Sequence, residues 1–123
     1  MLHHPERLQN VHPDLAQLIR DVGVQHDLIV IEGARSLEDE KKAIATGHSA
    51  LKDPMRSKHV IDPDKRPLAL AVDIGPYPLV WTNIEGFKKL GAAAKELAAA
   101  RGLSIRWGGD WTKFKDMPHV ELA

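Results

Sequence analysis

The spacing of apolar residues switches along the chain between helical and strand-like periods, which predicts mixed secondary structure. After Pro13, apolar positions at helical spacing predict a first helix that stops at Gly23. Residues 28–33, LIVIEG, form a short β-branched run that is typical of a buried strand. A second helix is predicted within ARSLEDEKKAIATG, capped by Ser36 and ended by Gly47.

The second half of the chain combines a polar segment with the clearest helix. Residues 49–67 are rich in proline and polar side chains, so we expect mostly loop there, followed by a strand over residues 68–75, LALAVDIG. Thr82 and Glu85 form a capping-box pattern at the start of a helix that ends near Gly102. LSIRW and PHVEL are the last predicted strands, separated by the loop GGDWTKFKDM. The predicted buried stripe of this helix consists of Ile84, Phe87, Leu90, Ala94 and Leu97.

These elements predict one α+β domain over residues 1–123, with a small antiparallel sheet and helices on one side of it or at its ends. A chain of 123 residues is long enough for one compact domain, and we expect no second domain and no separate binding unit.

Composition narrows the classes of partner. The 17 basic and 17 acidic side chains cancel, so no global field favours nucleic acid or an anionic membrane surface. Because the chain has no cysteine, a transition-metal site would have to use His, Asp or Glu. The N-terminus lacks the apolar core of a signal peptide, and no run reaches the length of a membrane span.

Three residues form a candidate site if the last strands are neighbours. In a strand, His119 and Glu121 point to the same face, which we expect to border a cleft or solvent. Asp73 interrupts an apolar strand, where a carboxylate is costly unless it is paired, hydrogen-bonded or bound to a metal. His59 ends the SKH segment at the edge of a loop. Two imidazoles and one carboxylate leave a tetrahedral zinc ion one open position, which is a hydrolytic arrangement.

The spacing alone leaves other interpretations open. No short zinc motif such as HExxH is present, and either histidine taken alone is better explained as a surface or satisfied core residue. Asp73 is also compatible with a buried residue that caps the turn after it. We expect the other histidines to be solvated; these are His3, His4, His12, His26 and His48.

The motifs SKH, AVDI, WGGDW and DMPHVEL together resemble a family of peptidoglycan metallopeptidases. That family includes phage L-alanyl-D-glutamate endolysins and D,D-peptidases of the VanY and VanX type, which share a Hedgehog/D,D-peptidase-like fold. The resemblance extends from the GARS stretch to the C-terminus. It implies one zinc ion bound by His59, Asp73 and His119, with Asp116 as the general base.

The resemblance also implies two substrate-binding residues. Arg35 would contact the substrate or the developing oxyanion, and Ser57 would bind the substrate backbone. Each has a simpler interpretation, since Arg35 could pair with Glu38 or Asp39 and Ser57 could cap a turn. Glu121 is a rival to Asp116 as the base.

Two further features concern the loops around this site. Trp107 and Trp111 flank Gly-Gly-Asp, and we expect them to pack the loop that carries Asp116, although either could line a groove.

The sequence departs from the family pattern between His59 and Asp73, where DPDKRPL is interpreted as an inserted loop within residues 60–70. We expect that loop to affect substrate fit more than chemistry.

The function that the resemblance implies is cleavage of the L-alanyl-D-glutamate bond in the peptidoglycan stem peptide by a phage endolysin. Such an enzyme is expected to be a monomer that waits in the host cytoplasm until a separate membrane pore releases it to the cell wall. Two alternatives stay open. One is a D,D- or L,D-carboxypeptidase that trims stem peptides, and the other is a wall-binding module without catalysis.

Overall fold

A computed structural model describes residues 1–47 and 53–123 of the chain. The prediction of a solvated His48 and the first residues of the predicted loop at 49–52 lie outside the described residues. The helices are α1 (Pro13–Gln25), α2 (Leu37–Ala45) and α3 (Ile84–Ala100). The strands are β1 (Leu2–His3), β2 (Leu28–Glu32), β3 (Arg35–Ser36), β4 (Val60–Ile61), β5 (Ala71–Pro76), β6 (Ile105–Trp107) and β7 (His119–Leu122).

Five strands form one sheet in the order β1-β2-β5-β7-β6, and β3 pairs with β4 in a separate parallel ribbon. The β2–β5, β5–β7 and β6–β7 pairs are antiparallel, which confirms the predicted α+β class. The edge strand β1 runs parallel to β2 and was not predicted, because two residues are too short to carry a pattern. In the β5–β7 pair, Asp73 lies directly opposite His119.

The core lies between the sheet and the helices α1 and α3. Leu15, Leu18 and Ile19 are fully buried on the predicted face of α1. The prediction that α1 stops at Gly23 is wrong, since the helix continues to Gln25. A Cβ atom at Gly23 would lie 3.0 Å from Leu2 Cβ, so this glycine allows β1 to approach the helix.

The start of α3 also differs from the prediction. Asn83 is the capping residue, and its side chain accepts a hydrogen bond from the Gly86 N–H at 3.1 Å. Thr82 lies one residue too early for that role. With Asn83 as the cap, Ile84 is the first helical residue and is 44% exposed, so it does not belong to the buried stripe. The Ser36 cap of α2 is confirmed, because its hydroxyl accepts from the Asp39 N–H at 3.1 Å.

Besides His4, an exposed residue whose Nδ1 lies 2.7 Å from Glu6 Oε1, two of the histidines expected to be solvated have structural contacts. The His3 ring stacks on Tyr77 with centroids 3.5 Å apart, and its side chain is 22% exposed. His12 caps α1, since its Nδ1 accepts from the Asp14 N–H at 3.2 Å. Both contacts depend on neighbours that hydrophobic patterning does not specify.

Candidate metal centre

His59, Asp73 and His119 meet at one end of the β5–β7 pair. The cross-strand register places Asp73 beside His119, and His59 reaches them from the turn before β4. His59 Nε2 lies 3.1 Å from Asp73 Oδ1 and 3.3 Å from His119 Nδ1. His119 Nδ1 lies 3.2 Å from the same Asp73 oxygen. The structure therefore brings together the three ligands that the sequence suggested.

The donor set fits a metal ion in geometry as well as in chemistry. Zinc bonds of about 2.0–2.1 Å at tetrahedral angles separate the ligand atoms by roughly 3.3 Å. The three observed separations, 3.1, 3.2 and 3.3 Å, lie close to that value. Among the described residues, these three side chains form the group of His and acidic residues that could hold a metal ion.

Hydrogen bonds fix which nitrogen of each histidine faces the centre. His59 Nδ1 lies 2.8 Å from the Gly33 carbonyl oxygen, to which it donates, so Nε2 is left as the ligand atom. His119 Nε2 lies 2.8 Å from Glu121 Oε1, so its Nδ1 faces the centre. Lys58 Nζ contacts the other Glu121 oxygen at 2.9 Å. Both rings are thus oriented by partners outside the centre.

These contacts argue against Glu121 as the base. Its two oxygens face His119 and Lys58, and the residue is 8% exposed. Burial opposes ionisation of Glu121, but the hydrogen bonds from His119 and Lys58 hold its pKa at about 2. A carboxylate held by both contacts orients His119, a predicted metal ligand, and is poorly placed to accept a proton from water.

Hydrogen bonds among these three residues stabilise their charged forms. Burial lowers the pKa of both histidines, but hydrogen bonds to Asp73 outweigh it, so the pKa of His119 rises to about 9 and that of His59 also rises. Burial raises the pKa of Asp73, but the two histidines outweigh that effect and hold this pKa well below its usual range. Asp73 therefore stays ionised in a place that attracts positive charge.

Asp116 lies beside this group in the loop between β6 and β7. Its Oδ2 is 3.9 Å from His119 Nδ1, and its side chain is 47% exposed. Burial and the charge of Asp73 raise the pKa of Asp116. A raised pKa in a carboxyl that borders both solvent and the centre suits a general base.

Close packing positions the Asp116 loop. A Cβ atom at Gly108 would lie 2.1 Å from the Asp116 carbonyl oxygen, so only glycine allows this approach. The Trp107 Nε1–H donates to the Met117 carbonyl at 2.7 Å, which confirms that this tryptophan packs the loop. Trp111 instead lines the cleft, with its ring centroid 5.2 Å from that of His119.

The candidate metal centre lies in a cleft of about 590 Å³. Besides the three predicted ligands and Asp116, the cleft is bordered by Arg35, Arg56, Ser57, Lys58, Trp111, Phe114 and Glu121. Both residues predicted to bind substrate, Arg35 and Ser57, therefore lie in the cleft.

Arg35 reaches the cleft with its guanidinium already bound. Its Nε and Nη2 donate to the two Glu32 oxygens at 2.7 Å each, and its Nη1 pairs with Glu40, whose side chain is 0% exposed. The alternative pairing with Glu38 or Asp39 is not observed, and the glutamates raise the Arg35 pKa further. The Arg35 N–H also donates to the His59 carbonyl at 2.7 Å. Arg35 thus supports the segment that carries a predicted metal ligand.

The inserted loop hydrogen-bonds the backbone of the segment that carries His59. Asp62 and Arg66 exchange backbone hydrogen bonds of 2.8 Å, which closes a short hairpin. From this hairpin, the Arg66 guanidinium donates to the Val60 carbonyl at 3.1 Å and the Met55 carbonyl at 3.0 Å. It also donates to the carbonyl of Ser57. Sequence reasoning missed both Glu40 and Arg66, since no motif marks either one.

Comparison with known proteins gives consistent matches over nearly the whole chain. A family model described as phage L-alanyl-D-glutamate peptidase matches residues 3–122. A relative from Escherichia phage T5, named L-alanyl-D-glutamate peptidase, is 29% identical over 122 residues, covering 95% of this chain and 83% of the relative.

Two solved structures are also similar to this chain. The crystal structure of the Serratia marcescens L-Ala D-Glu endopeptidase ChiX is similar, with a TM-score of 0.78 and 30% identity over 96% of this chain and 84% of that one. VanYB in complex with D-alanine-D-alanine shares the fold at a TM-score of 0.54 and 16% identity, over 91% of this chain and 71% of that one. In the described part of the chain, no helix has both the length and the apolar character to cross a membrane.

Proposed function

The chain belongs to the phage L-alanyl-D-glutamate peptidase family, and from that premise we propose that it is a zinc-dependent endopeptidase. Its substrate would be the stem peptide of bacterial peptidoglycan, cut at the L-alanyl-D-glutamate bond. The observation that carries this proposal is the cluster of His59, Asp73 and His119 ligand atoms, 3.1–3.3 Å apart, with the Asp116 carboxyl beside it.

In this proposal each residue of the centre has a separate task. His59 Nε2, His119 Nδ1 and one Asp73 oxygen hold the zinc ion. Zinc held there supplies Lewis acidity, which activates water and polarises a peptide carbonyl at neutral pH. Asp116 accepts the proton of the attacking water at its carboxylate and then delivers it to the departing amine. Its raised pKa brings it nearer to the pH at which both transfers occur.

The remaining residues of the cleft would bind and orient the substrate. Ser57 is half-buried at the edge of the cleft, where its hydroxyl can hydrogen-bond the backbone of the stem peptide. Arg35 keeps donor hydrogens beyond those used by Glu32 and Glu40, so it can also contact the substrate while it braces His59.

The biological setting that we propose is host lysis by a phage. The enzyme would act as a monomer and wait in the host cytoplasm until a separate membrane pore admits it to the cell wall.

The experiment that tests the proposal compares Asp116→Ala with the parent protein. We expect the variant to fold, to retain zinc measured by elemental mass spectrometry, and to lose hydrolysis of purified peptidoglycan. A matched control is Asp110→Ala, since Asp110 is an exposed carboxylate nearby that pairs with Lys95 at 2.8 Å. If Asp116→Ala cleaved as fast as the control, the assignment of the base would be wrong. If neither the parent nor the control cleaved the wall, a binding role would be favoured.

A further inference from the structure

Among the described residues, three Arg and Lys side chains border the cleft, and two of them have carboxylate partners inside the protein. Arg35 is held by two glutamates, and Lys58 by Glu121 at 2.9 Å. Arg56 borders the same cleft and is exposed. In the part of the chain that the structure describes, the Arg56 side chain has no hydrogen-bond or ion-pair partner. Among the described residues, Arg56 is therefore the cleft guanidinium with all of its donors free for a ligand, whereas three of the Arg35 donors are bonded to glutamates.

The backbone around Arg56 is held in a defined position. Asp53 caps the short 3-10 turn that ends at Arg56, and its carboxylate accepts from the Met55 N–H at 3.0 Å. Arg66 donates to the carbonyls of Met55 and Ser57, the residues on either side of Arg56. A guanidinium that bonds both neighbours fixes the backbone from which the Arg56 side chain projects. The inserted loop therefore fixes the position of Arg56.

We propose that Arg56 is a specificity-determining residue that binds a free carboxylate of the stem peptide, and that Arg66 of the inserted loop positions it. This proposal rests on the proposed function of the same cleft. The L-alanyl-D-glutamate bond itself brings such a group, because glutamate has two carboxyl groups and at most one of them links it to the next residue. Arg is suited to this task because its planar fork can bind a carboxylate through two parallel hydrogen bonds.

The test uses two synthetic stem peptides that differ at one group. One carries the free carboxylate on the glutamate at the scissile bond, and the other carries a carboxamide there. We expect the parent enzyme to prefer the carboxylate peptide, mainly through a lower KM. Arg56→Gln should lower kcat/KM for that peptide by about 10- to 100-fold, the usual effect of losing a charge-assisted hydrogen bond. It should leave kcat/KM for the carboxamide peptide within about threefold, since a neutral amide gains little from the charge.

Two further variants separate recognition from stability. Arg106→Gln removes an exposed arginine of β6 outside the cleft, and we expect it to leave the preference unchanged. Arg66→Lys keeps the charge but loses the fork that bonds several carbonyls at once. If Arg66 positions Arg56, this variant reduces the carboxylate preference. If Arg66 only stabilises the fold, Tm falls and the preference stays.

The outcomes distinguish this proposal from the proposed function. If the parent and Arg56→Gln each cleaved the carboxylate and carboxamide peptides equally well, the role of Arg56 would be overturned and the assignment as a peptidase would be retained. Binding measured by calorimetry covers the case in which neither peptide is cleaved. If the parent then bound the carboxylate peptide more tightly and Arg56→Gln removed that difference, Arg56 would be supported and the peptidase rejected.

The same comparison identifies the source of the carboxylate. A third peptide keeps the glutamate carboxylate and has an amide in place of its C-terminal carboxylate. Our proposal predicts that the parent cleaves it as well as the first peptide. If the Arg56-dependent preference followed the C-terminal carboxylate instead, the assignment to glutamate would be wrong and a carboxypeptidase would be favoured.

Discussion

The substitution Gly108→Ala tests whether close packing places Asp116 for catalysis. A Cβ atom at residue 108 would lie 2.1 Å from the Asp116 carbonyl oxygen, whereas real Cβ contacts essentially never fall below 3.0 Å. The two groups would have to separate by about 0.9 Å, the difference between those distances. That oxygen also accepts the His119 N–H at 3.1 Å, and the Asp116 N–H donates to Gly108 at 3.1 Å. The loop therefore cannot yield without moving Asp116.

A displacement of this size has two expected effects. Overpacking of this kind lowers the free energy of unfolding by roughly 1–3 kcal/mol. Misplacing a catalytic group by about 1 Å can cost on the order of 100-fold in rate, so we expect kcat to fall by about that factor. Zinc content should stay near that of the parent, because the predicted ligands are held by the β5–β7 pairing and by the turn before β4.

The assay combines muropeptide hydrolysis, thermal unfolding and zinc content. Gly102→Ala is the matched control, because Gly102 has a φ of +68° and no atom within 4 Å of its Cβ position. That variant strains the backbone by about 1 kcal/mol and should leave kcat unchanged. If Gly108→Ala lost stability but kept the kcat of the control, the position of Asp116 would not limit catalysis and our reasoning would be refuted.

Three further predictions concern charge and strain. Below about pH 6.5 protonated His119 stabilises the metal-free protein fully, and that stability is lost as pH rises through its folded pKa of about 9. Urea unfolding of the metal-free protein should show this decline in stability with pH. A flat pH profile would contradict the prediction. Phe114 is 93% exposed with a φ of +53°, a backbone conformation that glycine adopts without strain. The free energy of unfolding of Phe114→Gly should therefore be about 1 kcal/mol higher than that of Phe114→Ala, as measured by thermal unfolding. Equal Tm values for the two variants would exclude backbone strain at this residue. Glu40→Gln breaks a buried ion pair with Arg35 and should lower the free energy of unfolding, measured in urea, by about 3 kcal/mol. Glu38→Gln, at an exposed position, is the control. An equally small effect of both substitutions would show that the Arg35–Glu40 pair does not stabilise the fold.

Local pattern was enough to predict most of the fold. The buried face of α1 and the strand β2 follow from apolar spacing over a few residues, which the sequence shows directly. The grouping of His59, Asp73 and His119 could be predicted for a different reason, since each residue lies in a motif and strand alternation indicates where His119 points. The match to the peptidase family confirms the resemblance on which the functional prediction depended.

The errors fall where tertiary contacts override local signals. Gly23 looks like a helix stop but serves the close approach of β1. The cap of α3 is a different kind of error, since the local hydrogen bond is made by Asn83, one residue after the predicted cap. Glu40 is buried in the first turn of α2, where no motif marks it, because it pairs with Arg35. The brace from Arg66 was not predictable, since its acceptors are backbone carbonyls that carry no sequence signal.

The most direct test of the central claim is to digest purified peptidoglycan with and without a chelator and to identify the new amino termini by mass spectrometry. A zinc L-alanyl-D-glutamate endopeptidase predicts new D-glutamate termini that disappear with the chelator and return when zinc is added. Released D-alanine in place of those termini, or cleavage that the chelator does not affect, would contradict the account.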